Sequence, residues 1–164
     1  MQHWIRISAQ LWIIAIVVFP TTAIHGEITA DQVRRAISRG TGYLIRTQKE
    51  DGSWQGMESL GFPGGVTSLA VVALIYSGIP DSHPAIDKAL QYLRQIDPQK
   101  TYTVALQTMA FVAARQEENR LRIEQNVDWL ERAQITSGPA QGMWSYNLHH
   151  AQGGDHSNTQ FALL

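Results

Sequence analysis

The sequence contains no cysteine among its 164 residues, and this absence removes several kinds of chemistry at once. Without cysteine these residues can form no disulfide, no thiolate metal ligand and no thiol nucleophile. The chain also has no large excess of positive or negative charge, because 13 basic and 14 acidic side chains give a formal net charge of −1. A protein that binds nucleic acid needs a basic patch to neutralise phosphates, so we expect no nucleic-acid partner.

A long hydrophobic run occurs near the N-terminus, where residues 11–19 are all apolar and follow Arg6. Pro20 and the small residues 21–23 come directly after the run. This order is typical of a secretory signal peptide. A membrane-spanning helix needs about 20 apolar residues, roughly twice this length. We therefore predict a signal peptide over residues 1–26 and an exported mature chain, periplasmic or extracellular, without a membrane span. An uncleaved N-terminal membrane anchor is the alternative.

The remaining sequence alternates between two kinds of helical pattern. Amphipathic stretches with one apolar stripe are found at residues 30–48, 84–96 and 117–134. Stretches that are apolar on most or all faces follow them, at residues 66–77, at 103–114 and from 160 onward. A helix that is apolar all round must be covered on several sides. A ring of α-hairpins meets this need, because inner helices contact one another while outer helices shield them from water.

Local signals mark where several of these helices begin. Thr29 and Gln32 have the spacing of a capping box, in which two side chains satisfy free backbone N–H groups. Pro84 is placed as a first helical residue, and residues 157–159 resemble the cap of the last helix. The sequence thus predicts an all-α chain with helix boundaries at these positions.

The strongest local pattern follows the first amphipathic stretch and reads Arg39-Gly40-x-x-Tyr43-Leu44-x-x-x-Gln48-x-x-x-Gly52-x-Trp54. A second copy has extra residues before the glycine and reads Trp129-Leu130-x-x-x-Gln134 and then Gly142-Met143-Trp144. The middle hairpin keeps only Tyr92-Leu93. The pattern resembles the QW repeat of the squalene–hopene and oxidosqualene cyclase family. Thr67 and Thr159 match the inner helices that follow such repeats.

This resemblance implies α/α-hairpin repeats that form part of an α/α toroid over residues 27–164, as in protein prenyltransferase β-subunits. It also implies that the motif residues are structural, with each glutamine at a helix end and each tryptophan packed over it: Gln48, Gly52, Trp54, Gln134, Gly142 and Trp144. A competing interpretation makes the two tryptophans exposed platforms for a sugar or lipid. Toroids of this family contain more hairpins than these residues supply. We therefore expect the rest of the toroid or a partner chain to cover the open C-terminal end.

The related cyclases start their reaction with a carboxylic acid in a D-x-D-D-T-A motif. The corresponding residues here are Asp155-His156-Ser157-Asn158-Thr159. Ser157 and Asn158 cannot donate a proton of comparable acidity, which leaves Asp155 as a weak catalytic candidate. Capping of a helix by Asp155 is the alternative that we favour. Prenyltransferases use a zinc ion held by Asp, Cys and His, and complement-like relatives use a Cys–Gln thioester. Both require the cysteine that is missing.

His149, His150, Asp155 and His156 form a small cluster of groups that can bind metals. Adjacent histidines in a glycine-rich loop point in different directions, so we predict no metal site and no cofactor.

We predict a secreted prenyltransferase and squalene oxidase repeat protein that binds or scaffolds without catalysis, with an apolar small molecule in the central cavity as its ligand. A terpene cyclase-like enzyme acting on a polyprenyl or triterpene substrate is one alternative. A glycan-processing toroid is another, and it would need paired carboxylates such as those of Glu50, Asp51 and Glu58. Whether the chain is an enzyme stays open at this stage.

Overall fold

The computed structural model describes residues 28–56, 60–148 and 153–164. In these ranges it contains six α-helices, namely α1 (Ala30–Thr47), α2 (Gly65–Tyr76), α3 (Pro84–Arg94), α4 (Thr101–Ala114), α5 (Arg120–Ala133) and α6 (His156–Leu163). A 3₁₀ turn at Glu117–Asn119 leads into α5. The described residues form no named strand, and one isolated antiparallel bridge pairs Gln134 with Trp144. The predicted all-α class is confirmed.

The helices begin where backbone N–H groups find side-chain acceptors. Thr29 Oγ1 accepts from the backbone N of Gln32 at 3.2 Å, and Gln32 Oε1 accepts from the backbone N of Thr29 at 2.8 Å. Pro84 is the first residue of α3, as predicted. The cap expected at residues 157–159 is wrong, because α6 begins at His156, four residues before position 160, with Asp155 as its N-cap. The capping role favoured for Asp155 is confirmed. An aspartate carboxylate reaches the free N–H groups of a first turn readily, and here this moves the start of the helix.

The helices pack as three consecutive hairpins, in which α2, α4 and α6 form an inner row. α4 lies between α2 and α6, and it also contacts the outer helices α3 and α5. Its side chains are therefore buried on several sides, with Val104, Leu106, Ala110 and Phe111 at most 1% exposed. The apolar character predicted for residues 103–114 on most faces is explained by this central place.

Two separate clusters of buried side chains hold the hairpins together. The first lies among α2, α3 and α4 and includes Trp54. The second lies between α4 and α5 and includes Trp129, Leu130 and Trp144. The chain is thus held together by hairpin-to-hairpin contacts rather than by one central core, as expected of a repeat architecture.

Helix α1 differs from the other outer helices because none of its residues is buried. Its apolar stripe is present as predicted, but Val33 and Ile37 remain 46% and 44% exposed. In the part of the chain that the structure describes, no helix has the length and apolar character needed to cross a membrane. The signal peptide predicted over residues 1–26 lies outside the described residues.

Candidate functional site

The first QW unit, defined as Gln48, Gly52 and Trp54, lies where α1 ends and joins it to α3. Gln48 Nε2 donates to the carbonyl oxygen of Gly52 at 2.9 Å and to that of Ala85, in the first turn of α3, at 2.7 Å. Gly52 has a φ of +88°, and a Cβ added there would stand 2.3 Å from the carbonyl oxygen of Lys88. Glycine is therefore required twice, by the left-handed backbone and by the close approach of α3.

The second QW unit, defined as Gln134, Gly142 and Trp144, repeats this loop at the end of α5. Gln134 lies eight positions before its glycine instead of four, and its Nε2 donates to the carbonyl oxygen of Gly142 at 3.1 Å. Two backbone hydrogen bonds close the longer loop, from Ile135 N to Met143 O at 2.9 Å and from Gly142 N to Ile135 O at 2.8 Å. The extra residues are thus accommodated without loss of the glutamine contact.

Each tryptophan of the two units caps a carbonyl group in the last turn of the preceding outer helix. Trp54 Nε1 donates to Leu44 O at 2.8 Å, and Trp144 Nε1 donates to Leu130 O at 2.7 Å. Carbonyl groups in a last helical turn have no backbone partner within the helix, so the indole supplies a donor. Leu44 O also accepts from Thr47 Oγ1 at 3.3 Å. The two rings are only 4% and 6% exposed. The interpretation of these residues as exposed platforms for a sugar or lipid is therefore wrong.

Two threonines, Thr67 and Thr159, join the QW units to the inner helices that follow them. Thr67 Oγ1 accepts from the backbone N of Trp54 at 3.2 Å, and Thr159 Oγ1 accepts from that of Trp144 at 3.0 Å. Each unit therefore touches the outer helix before it and the inner helix after it. This double attachment makes the two loops structural joints of the hairpin repeat.

The middle hairpin meets the same need with Gln107, a residue that sequence reasoning missed. Gln107 lies within α4 and is 2% exposed. Its Nε2 donates to Leu93 O at 2.9 Å and to Ile96 O at 3.1 Å, and its Oε1 accepts from Asn126 Nδ2 at 2.9 Å. Leu93 occupies in α3 the place that Leu44 occupies in α1. The side-chain amide of Gln107, on an inner helix, thus donates to the outer-helix carbonyl group that a loop tryptophan reaches in the other two hairpins.

One oxygen of the Asp155 carboxylate serves as the N-cap of α6. Asp155 Oδ1 accepts from Ser157 Oγ at 2.6 Å, from Asn158 N at 2.7 Å and from Asn158 Nδ2 at 2.9 Å. These hydrogen bonds, that of the Ser157 hydroxyl first, hold the pKa of Asp155 below its ordinary value. The carboxyl group is therefore ionised at neutral pH and has no proton to donate. This is the chemistry of a helix cap.

The other candidate groups form no assembled site within the described ranges. His149, His150 and Glu58 lie outside those ranges, and inside them no three histidine or acidic side chains are placed to hold a metal ion. Asp51 Oδ1 accepts from the backbone N of Ser53 at 2.9 Å and from its Oγ at 2.7 Å. These bonds lower the pKa of Asp51, whose carboxylate is turned back onto its own loop.

An apolar cavity lies between α4 and α6 on the inner row of helices. Its volume is about 160 Å³, and its lining includes Tyr76, Met109, Val112, Phe161 and Leu164. Tyr76 and Val112 are 81% and 55% exposed, so this part of the inner row is open. An apolar surface of this kind can bind an apolar group but offers no acid, base or nucleophile.

A comparison with protein families matches residues 2–162 to the A-macroglobulin TED domain, a thioester-type α/α toroid. This match includes most of the predicted signal peptide, whose cleavage stays a prediction. A relative from Sinorhizobium fredii (strain NBRC 101917 / NGR234), described as a probable squalene–hopene cyclase, is 39% identical over 71 residues. Those residues are 43% of this chain and span only 10% of the relative's length. No solved structure matches the chain.

The family match and the hairpin architecture point in the same direction. The matched region includes all three hairpins and both QW units. The 164 residues contain no cysteine, so they lack the thiol that a thioester needs. Because the family match covers nearly the whole sequence, the chain belongs to the A-macroglobulin TED domain family, within the α/α toroids.

Proposed function

We propose that this chain is a non-catalytic binding or scaffolding unit of an exported α/α toroid, with an apolar ligand held on its inner row of helices. The observation that carries the proposal is the state of Asp155. Three hydrogen bonds to one carboxylate oxygen lower its pKa and use it as a cap. A carboxylate in this state does not serve as the general acid of a cyclisation.

The similarity to a squalene–hopene cyclase supports a shared α/α toroid architecture, but it gives less support to a shared cyclisation reaction. Alkene protonation needs a carboxylic acid that keeps its proton beside an apolar cavity. The two positions after His156 carry Ser157 and Asn158 instead of acids. The absence of cysteine argues in the same way against covalent capture through a thioester. Binding without chemistry is the function that agrees with both observations.

The cavity between α4 and α6 suggests the chemical class of the ligand. Apart from Thr108 and the hydroxyl of Tyr76, its lining residues have apolar side chains. Tyr102 and Phe161 form an edge-to-face ring pair with centroids 4.3 Å apart, which fixes Phe161 at the cavity wall. A ligand for this place is apolar and slender, such as a short isoprenoid or fatty chain. Burial of its apolar surface supplies the binding free energy.

The proposal is tested by titrating the chain with geraniol, a short isoprenoid alcohol, and following binding by calorimetry. We expect saturable binding that is weakened at least about tenfold by Val112→Asp, because a carboxylate in the cavity must be desolvated when the ligand binds. Val112 is 55% exposed, so this substitution leaves the fold intact. The matched control is Val127→Asp, at a residue 41% exposed on α5 outside the cavity lining.

Two results would overturn the proposal. Binding that is absent, or equally affected by Val112→Asp and Val127→Asp, would remove the ligand site. A cyclised product from squalene, detected by mass spectrometry and lost in Asp155→Ala, would instead establish the cyclase alternative.

A further inference from the structure

The middle hairpin lacks the loop that lies between the first two outer helices. The connection from α1 to α2 runs over residues 48–64 and contains the first QW unit, whereas the connection from α3 to α4 is only residues 95–100. The first QW unit lies directly on α3, because a Cβ added at Gly52 would stand 2.3 Å from Lys88 O. The short connection has no comparable loop to place on α5.

A cavity of about 610 Å³ lies on α5 at the positions that the loop covers on α3. The equivalent pairs Tyr92-Leu93 and Trp129-Leu130 align the two helices. The residues of α3 that contact the first QW unit are Ala85, Lys88 and Ala89. Their equivalents on α5 all line the cavity, namely Arg122, Gln125 and Asn126. Residues 97–99 of the short connection form the facing wall, so this middle-joint cavity takes the place of the missing loop.

A buried hydrogen-bond donor in the lining of the middle-joint cavity has no partner. Trp129 is 7% exposed, and its Nε1 is buried without a hydrogen-bond partner among the described residues. Asn126, also in the lining, is 4% exposed and is held by the hydrogen bond from its Nδ2 to Gln107 Oε1 at 2.9 Å. Buried polar groups of native proteins almost always have a partner. The unpaired indole N–H therefore indicates a ligand that carries an acceptor atom.

The charged residues of the lining suit a ligand with one negative charge. Arg122 is already engaged, since its Nη2 donates to Arg94 O at 2.8 Å and its Nη1 lies 3.5 Å from Asp97 Oδ1. Arg132 donates from Nε to Asp128 O at 3.2 Å, and no ion pair among the described residues includes it. Because Asp97 also lines the cavity, the lining has a net charge of one positive unit. The planar guanidinium of Arg132 matches a carboxylate in shape and charge.

The uncharged part of the lining suits a ligand with hydroxyl groups. Gln99 and Gln125 have side-chain amides, which contain both donors and an acceptor. Hydroxyl groups also donate and accept, so such amides can bond to several of them. Pro98 and the ring of Trp129 add apolar surface, which can contact the C–H face of a sugar ring. The cavity volume lies within the range of about 300–1,000 Å³ that is usual for small-molecule sites.

We propose that the middle-joint cavity binds a sugar acid, a pyranose that carries one carboxylate. Arg132 pairs with the carboxylate, and the amides of Gln99 and Gln125 bond to hydroxyl groups. An oxygen of the ligand supplies the acceptor that Trp129 Nε1 lacks. This site is separate from the apolar cavity between α4 and α6, so the inference does not depend on the apolar ligand proposed for that cavity.

The test titrates the full chain with D-glucuronate and follows binding by calorimetry at constant ionic strength. We expect saturable binding that Arg132→Gln weakens at least about tenfold, because the carboxylate loses its charged hydrogen-bond partner. Arg132 is exposed, so this variant keeps the fold. The matched control is Arg120→Gln, the same substitution at an exposed arginine of α5 outside the cavity lining, and it should bind like the wild type. Circular dichroism checks that both variants keep their helices.

Two further titrations identify the part of the ligand that is recognised. D-glucose, which has a similar ring without the carboxylate, should bind at least about tenfold more weakly than D-glucuronate. Gln125→Glu keeps the size of the side chain but adds a negative charge, and it should weaken the binding of D-glucuronate without weakening that of D-glucose. The proposal would be overturned by a wild-type chain that does not bind D-glucuronate or binds D-glucose equally well. Equal weakening by Arg132→Gln and Arg120→Gln, or binding of inorganic phosphate in preference to D-glucuronate, would also overturn it.

Discussion

Among single residues, the ends of the outer helices show how one structural need is met by different side chains. Three equivalent leucine carbonyl groups, at Leu44, Leu93 and Leu130, lie in the last turns of α1, α3 and α5. An indole N–H is donated to two of them, and the amide of Gln107 to the third. Leu44 O and Leu93 O each accept a second hydrogen bond, from Thr47 Oγ1 at 3.3 Å and from Ile96 N at 3.1 Å. A buried carbonyl left without any donor costs about 1–3 kcal/mol, so the side-chain donor matters most at Leu130.

Asp155 is expected to make the folding stability depend on pH in the acid range. Its pKa lies below the ordinary value of 3.8, the Ser157 hydroxyl hydrogen bond being the main cause. A carboxyl group whose pKa is lowered by folding stabilises the fold above its unfolded pKa, and this contribution is lost as the pH falls through the folded value. Asp155→Asn keeps an oxygen that can cap α6 but cannot titrate there.

Urea unfolding followed by circular dichroism measures this effect. We expect the wild type to be more stable than Asp155→Asn at pH 6 and to lose that advantage as the pH falls below 3.8. Asp51, whose pKa is also lowered, is present in both proteins and cancels in the difference. A stability difference that stays constant from pH 6 to pH 2 would contradict the role of the ionised carboxylate.

Some structural residues can be predicted from local sequence spacing, and others cannot. Gln48 and Trp54 were found because their spacing along the chain is fixed by one local loop. Gln107 was missed because its partners, Leu93 and Asn126, come together only after the hairpins pack. A lone amide within an apolar helix has no periodic signature. Its sequence signal was indirect, namely that the middle hairpin lacks the usual glutamine and tryptophan after Tyr92.

Among whole helices, the hydrophobic pattern predicted which helices form but not what covers them. The stretches that became α2 and α4 were expected to be inner helices, and both contact helices on several sides. α1 and α3 carry the same amphipathic stripe in sequence, yet α3 has five buried residues and α1 has none. α3 is contacted by the first QW loop, and this neighbour cannot be read from the pattern of the helix itself.

This difference predicts an order of hydrogen exchange among the helices. We expect the amides of α1 to exchange fastest and those of α4 slowest, because α1 contributes no fully buried residue and can open locally at low cost. Nine of the 14 residues of α4 are buried, so its exchange requires much of the chain to unfold. Mass spectrometry of peptides from the exchanged protein measures this order. Equal protection of α1 and α4 would contradict it.

For the molecule as a whole, the hairpins form a row that is connected by similar loop contacts and is not built around one central core. Trp54 belongs to the cluster around α2, α3 and α4, and Trp144 to the cluster around α4 and α5. The two indoles donate to different carbonyl groups, and the backbone N–H groups of the two tryptophans donate to different threonines. In repeat proteins the stability is close to a sum of units and nearest-neighbour contacts. The two QW units should therefore contribute separately.

A double-mutant cycle tests this separation. Trp144→Phe removes the indole donor of Leu130 O, which we expect to cost about 1–3 kcal/mol in the free energy of unfolding. Trp54→Phe should cost less, because Leu44 O still accepts from Thr47 Oγ1 at 3.3 Å. Their effects should add within about 0.5 kcal/mol, as for sites that share no partner. Gln107→Leu and Asn126→Leu, whose side chains bond directly, supply the positive control and should show clear coupling. If the two tryptophans couple as strongly as that pair when urea unfolding is measured, then α4 transmits strain between the joints and the row of hairpins behaves as one unit.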